Sequence, residues 1–268
     1  MTKRTDQYAS LRQHMPLLRN LVRREIRQRH KGSALGLLWN LIMPAMLVAT
    51  YTFIFKYFFP NEIPDYSVYL LTGLAAWTFF ATGAQVAASS LIANANLVKK
   101  VKFPRQIIPL AAIAGNAFTA LAMLLIAAVL CLFLRSGNAL FFVATPLVLV
   151  FLLVFTVGFG LVLSSLNVYL RDVEYLYGAL LTPWFFLTPI LYRFAGVSER
   201  LGSHGWALRL LHYANPIAPF VLAVQDSLYY KRWPALGDLA YCAVAAALML
   251  MVGMWVFSRL ERDLAVEL

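Results

Sequence analysis

The chain has 268 residues, of which 61% are hydrophobic and only 13% charged, and it carries a formal net charge of +11. A mean hydropathy of +0.71 lies far outside the range of soluble domains, so the sequence describes a polytopic membrane protein. The cations sit beside apolar runs and not on a separate soluble domain, which excludes nucleic-acid binding as the reason for the charge.

The first element is a basic amphipathic helix. With Leu11 as the reference, Met15, Leu18, Val22 and Ile26 fall within about 60° on one helical face, while Arg12, Arg19, Arg23 and Arg27 gather on another. This pattern predicts a helix lying along the membrane surface. Glu25 and Arg29, an i,i+4 pair, lie near the apolar stripe: either the helix lifts from the lipid there to form a cytoplasmic entrance, or the two charges pair and snorkel. From Gly32 to Phe55 no residue is charged. At about 1.5 Å per residue that run exceeds the roughly 30 Å of bilayer hydrocarbon. The first crossing is placed at 34–57, serving as its own targeting signal in place of a cleaved leader, with residues 1–31 left in the cytoplasm.

A short acidic turn, NEIPDYS, faces outward and leads into a second crossing at 68–93. The chain returns inside at Lys99, Lys100, Lys102 and Arg105. A third crossing at 107–134, the brief RSGN turn and a fourth at 140–167 complete two hairpins. The fourth ends in a second cytoplasmic cluster, Arg171, Asp172 and Glu174. The fifth crossing, at 175–192, is barely long enough to span. Between 193 and 230 follows a short apolar run broken by Asn215-Pro216 and Pro219, which suits a re-entrant helix pair, since irregular backbone at membrane depth needs protein or a watery cavity to satisfy it. The last crossing is placed at 238–258, with 259–268 back in the cytoplasm. The expected fold is therefore an all-α membrane protein with six crossings in a single transmembrane domain, 32–258, and both termini cytoplasmic. Most of the 23 Lys and Arg residues fall on the side so assigned to the cytoplasm.

No Asp, Glu, Lys, Arg or His lies near the centre of any crossing, where ion-coupled carriers place titratable groups. The chain also lacks a phosphate-cradling GxxxxGK[ST] loop, a GxSxG elbow, HExxH, or clustered His and Cys ligands. Cys131 and Cys242 sit in apolar runs and read as small buried hydrophobes. An engine, if there is one, must be another polypeptide. The cytoplasmic stretch Asn94–Arg105, with four cations, Phe103 and Pro104, forms a compact charged knob that either contacts such a partner or snorkels to anionic headgroups. Arg171, Asp172 and Glu174 form either a docking cluster or a local ion pair. Among many aromatics, most of which suit an interfacial belt, Tyr51, Phe55 and Trp184 are candidates to line a transport path, offering flat apolar faces and polar handles.

Five stretches, taken in order, resemble one family: REIRQRHKGSALGLLWNLIMP (24–44), NANLVKKVKFPRQIIPLA (94–111), NVYLRDVEY (167–175), FLTPILY (186–192) and ANP (214–216). They are similar to the permease subunit of bacterial type 2 ABC exporters for lipid-linked polysaccharides, which serve O-antigen, teichoic acid and capsule export. The resemblance implies a homodimer working with two copies of a cytosolic ATPase that binds ATP and Mg, in the bacterial inner membrane. It implies that Arg19, Arg23, Arg24, Glu25, Arg27 and Arg29 belong to an interface helix. It also implies that Asn94, Leu97, Lys99, Lys100, Lys102, Phe103, Pro104 and Arg105 form the coupling segment, with Arg171, Asp172 and Glu174 at the second cytoplasmic turn. Asn215, Pro216 and Pro219 would then belong to an outward gate. Two alternatives stand beside this reading. One is a permease of the same class for a drug or another lipid; the other is an intramembrane glycan-modifying enzyme built on His204, His212 and Asp226 near Arg209.

Overall fold

The longest apolar runs become uninterrupted helices. The computed structural model describes residues 14–30, 38–58, 63–101, 103–134, 136–193, 212–261 and 264–267. In chain order the helices are α1 (Met15–His30), α2 (Trp39–Tyr57), α3 (Tyr66–Ala93), α4 (Ala95–Lys100), α5 (Ile107–Leu134), α6 (Ala144–Tyr169, entered through a 3-10 turn at Ala139–Val143), α7 (Asp172–Leu187), α8 (Ala218–Leu228), α9 (Leu236–Leu260) and α10 (Leu264–Glu267). Four of these, α3, α5, α6 with its entry turn and α9, are long and apolar enough to cross a membrane. The apolar part of α2 is shorter, Ile42–Phe55. Helix α7 has 16 residues, about 24 Å of rise, so it reaches across only together with the non-helical residues that follow it.

The core is organised around α3, whose length is almost entirely buried. It packs against α5, α6, α7, α8 and α2. Its sequence permits this, because Gly73, Ala75, Ala76, Ala81, Gly83, Ala84, Ala87 and Ala88 keep its surface thin and let neighbouring backbones approach. Lipid offers helices no hydrophobic reason to associate, so close van der Waals contact has to hold them. The tightest crossing is between α6 and α9. A Cβ on Gly158 would sit 2.4 Å from the Met249 carbonyl, and one on Gly253 would sit 2.2 Å from the Gly158 carbonyl oxygen, so the two backbones touch there. Cys131 and Cys242 are buried in the same core, as their apolar surroundings predict.

Helix α1 departs in one respect from a helix simply lying on lipid. Its Leu21, with Leu17, Leu18 and Val22 beside it, packs onto Ile107 and Ala111 at the start of α5. Gly115 lies under Glu25, where a Cβ would come within 2.9 Å of the Glu25 Cβ. Part of the apolar stripe is thus covered by protein, while Met15 stays exposed. The Glu25 carboxylate lies 3.8 Å from the Arg24 guanidinium. Leu11, Arg12 and the Arg29 side chain lie outside the described residues.

Candidate functional site

The end of the bundle that the sequence assigns to the cytoplasm is built around α4, which is too short to hold itself. Isolated helices of this length are marginal in water, so neighbours must fix it. Its Val98 is buried in a small core with Leu91, Ile108, Leu161, Val168, Phe257 and Leu264. Leu97 and Phe103 pack against both this core and the α1–α5 contact. Asn94, just ahead of α4, accepts a hydrogen bond from the Arg24 guanidinium of α1 and donates one to the Ser90 carbonyl at 2.8 Å. Beyond Pro104, the Arg105 amide donates to the Glu261 carboxylate at 3.4 Å, and the Arg105 guanidinium donates to the Glu261 carbonyl. Arg19, Arg23 and Arg27 of α1 are exposed.

These contacts divide the predicted coupling residues into two sets. Lys99 and Lys100, with Asn96 and Val101, are exposed. Asn94, Leu97, Phe103 and Arg105 are turned toward the protein; Lys102 lies outside the described residues. The second cytoplasmic cluster divides in the same way. Arg171 and Asp172 are exposed, whereas Glu174 is held by the fully buried Asn167. The Asn167 amide oxygen accepts from the Glu174 backbone N–H at 3.1 Å, and its amide nitrogen donates to the Ala88 carbonyl at 3.0 Å. One side chain therefore joins α6, α7 and α3 at the turn.

The opposite end has a different chemistry. After α7 the backbone leaves the helix at Thr188, and its carbonyls need donors. Tyr66 donates to the Leu191 carbonyl at 3.0 Å, Tyr69 to the Tyr192 carbonyl at 2.8 Å, and Gln225 of α8 to the Pro189 carbonyl at 3.3 Å. Gly73 leaves room for Gln225, since a Cβ there would meet the Gln225 amide at 2.8 Å. Asn215 joins this segment to the Pro-broken turn. Its oxygen accepts from the Trp184 indole at 2.8 Å and from the Ile217 amide at 3.1 Å, and its nitrogen donates to the Thr188 hydroxyl at 2.9 Å. Pro216 lies in the turn and Pro219 in the first turn of α8, where a missing N–H costs nothing. Residues 194–211, nearly half of the 193–230 stretch expected to hold the re-entrant pair and including His204 and Arg209, lie outside the described residues.

Trp184 also stands in an aromatic cluster, 5.3 Å from Phe80 and 6.2 Å from both Trp77 and Phe159 between ring centroids. Tyr51 stacks on Phe185 at 6.0 Å, and Phe55 lies 5.5 Å from Tyr66. The three aromatics are thus half-buried against the α3–α7 core. Of the residues offered for an enzyme, His204 and Arg209 lie outside the described residues, and His212 and Asp226 each have an ionic partner. His212 pairs with Asp238 at 2.6 Å, and Asp226 pairs with Arg232 at 2.6 Å.

The family model for the ABC-2 type transporter matches residues 16–229. The chain belongs to the ABC-2 type transporter family. Among curated proteins, this ABC-2 chain is 28% identical over 255 residues to the O-antigen export system permease protein RfbA of Myxococcus xanthus, covering 95% of this chain and 96% of that one. It is 30% identical over 246 residues to a protein of the same name from Klebsiella pneumoniae, with 91% and 92% covered. A second Klebsiella pneumoniae RfbA is 28% identical over the same shares.

Several residues that build the ABC-2 chain's two ends were not singled out from sequence. Glu261 and Leu264 sit near the C-terminus with no motif around them, and Asn167, Gln225, Tyr66 and Tyr69 are ordinary residues inside apolar runs. The available signal was their polarity. A buried amide in a membrane helix has to find a partner, and each of Asn167 and Gln225 does.

Proposed function

We propose that this ABC-2 chain is the channel-forming membrane subunit of an ATP-driven exporter that moves a lipid-linked polysaccharide of the O-antigen kind across a bacterial inner membrane. A separate cytosolic ATPase binds ATP and Mg and drives the movement; this chain supplies the path. The observation that carries the reading is the two-sidedness of α4, with one face anchored in a small core while Lys99 and Lys100, and Val101 just past its end, stay exposed. Such a helix transfers a push from a docked partner into the bundle as a rigid-body shift. The names of the relatives support the substrate class.

In this reading α2 and α7 complete six crossings, both termini face the cytoplasm, and α1 is the interface helix carrying Arg19, Arg23, Arg24, Glu25, Arg27 and Arg29. Arg171 and Asp172 form the outer face of the second cytoplasmic turn. Two copies assemble about a two-fold axis with the path between them, because six crossings are too few to enclose a polymer. Asn215, Pro216 and Pro219 belong to the outward gate, and Trp184, Tyr51 and Phe55 face the path when it opens. The test is reconstitution in liposomes with the cognate ATPase, scored as ATP-dependent movement of lipid-linked glycan. Reversing Lys99 and Lys100 to Glu is expected to abolish substrate-linked ATP turnover while membrane insertion is kept. Unchanged turnover would remove α4 from the mechanism.

A further inference from the structure

The C-terminal end of α9 satisfies its last backbone groups in an unusual way. The Leu260 carbonyl accepts from the Tyr169 hydroxyl at 3.0 Å, and the Glu261 carbonyl accepts from the Arg105 guanidinium. A cation at this position also complements the negative end of the helix dipole. The Glu261 carboxylate, half-buried, takes the Arg105 backbone amide. Three residues on, Leu264 of α10 is fully buried against Val98 of α4. The end of α9 and the segment beyond it therefore grip the exit of α4 through a side chain, a backbone carbonyl and an apolar plug. Eight residues back along α9, about 12 Å, Gly253 touches the backbone of α6. A displacement of α4 thus has a rigid route to the tightest helix crossing in the protein.

We propose that Glu261 and Leu264 form a latch that holds α4 in register with α9, making Glu261 a positioning residue for the coupling step and both residues working parts of the transporter. The transport consequence rests on α4 being the contact for the ATPase; the latch itself does not. The experiment separates the two. A nitroxide is placed at the exposed Lys100 as Lys100→Cys in the full-length chain, with both native cysteines replaced by alanine, in lipid nanodiscs without ATPase. Label mobility is compared among otherwise native protein, Glu261→Ala, Glu261→Gln and the milder Leu264→Ala.

The latch predicts a more mobile label in Glu261→Ala and in Leu264→Ala, with restriction restored in Glu261→Gln, because a glutamine oxygen still accepts the Arg105 amide. A merely structural loss would not be rescued by that isostere. Equal mobility in all folded variants overturns the proposal. If Glu261→Ala does not give folded protein, Leu264→Ala against Glu261→Gln decides the same question. With the cognate ATPase added, glycan moved per ATP is expected to fall about two- to tenfold in the mobile variants and to recover in Glu261→Gln. A freed label with undiminished transport per ATP would leave the latch standing and sink the reading of α4 as the coupling element.

Discussion

Asn215 shows how much one side chain can carry in a membrane protein. It accepts from Trp184 and Ile217 and donates to Thr188 from a buried position, so the end of α7 and the Pro-broken turn share a single hub. Replacing it with alanine strands the Trp184 indole N–H and the buried Ile217 amide where water is scarce, while the Thr188 hydroxyl keeps its bond to the Trp184 carbonyl. Asn215→Ala is expected to cost about 1–3 kcal/mol, read as a lower midpoint of denaturant unfolding in detergent. Glu261 makes a prediction of a different sort. Burial pushes its carboxyl above the ordinary glutamate range, against a partial opposing pull from the Arg105 amide and guanidinium. A carboxyl raised in this way binds more protons folded than unfolded. Its stabilising share is complete below the unfolded value and disappears as pH rises through the folded one. The unfolding midpoint should therefore decline with rising pH across that window, and Glu261→Gln should flatten that part of the curve.

At the scale of elements, the α6–α9 crossing is the most exposed to mutation. The Gly158 and Gly253 backbones leave no room for a methyl group, and neither neighbour is a flexible side chain that could swing away. Gly253→Ala is expected to force the helices apart and cost about 1–3 kcal/mol, measured by thermal unfolding of purified protein. The four longest apolar helices were legible in the sequence, since an uncharged run of sufficient length has few alternatives in a bilayer, whereas the fifth crossing, placed at 175–192, meets a helix that ends at Leu187. The third crossing was placed at 107–134 and α5 is Ile107–Leu134; the second was placed at 68–93 and α3 begins two residues earlier. Partnership was less legible. Periodicity identified the apolar stripe of α1, but a stripe does not announce whether lipid or the start of α5 will cover it. The division of Lys99 and Lys100 from Arg105 was hidden for the same reason, because the partner of Arg105 lies more than a hundred residues away in sequence. Glu174 looked like one member of a charged cluster, and its role emerged only from the position of Asn167.

For the whole molecule, the charge-free centres of the spans and the ABC-2 family assignment both support the proposal that the chain shapes a passage and leaves the work to another protein. Purified alone and placed in vesicles, it should move no glycan uphill under an imposed proton or sodium gradient. Accumulation without a nucleotide hydrolase present would overturn that division of labour. The non-helical stretch after α7 sets a limit on how such a passage opens. Two phenols and an amide are committed to backbone oxygens of that stretch, and hydrocarbon offers no substitute donors. A small slide would orphan several oxygens together, so intermediate positions are costly. The outer mouth should accordingly click between a few well-bonded seats, and an open state must provide every displaced oxygen with a new donor or with water.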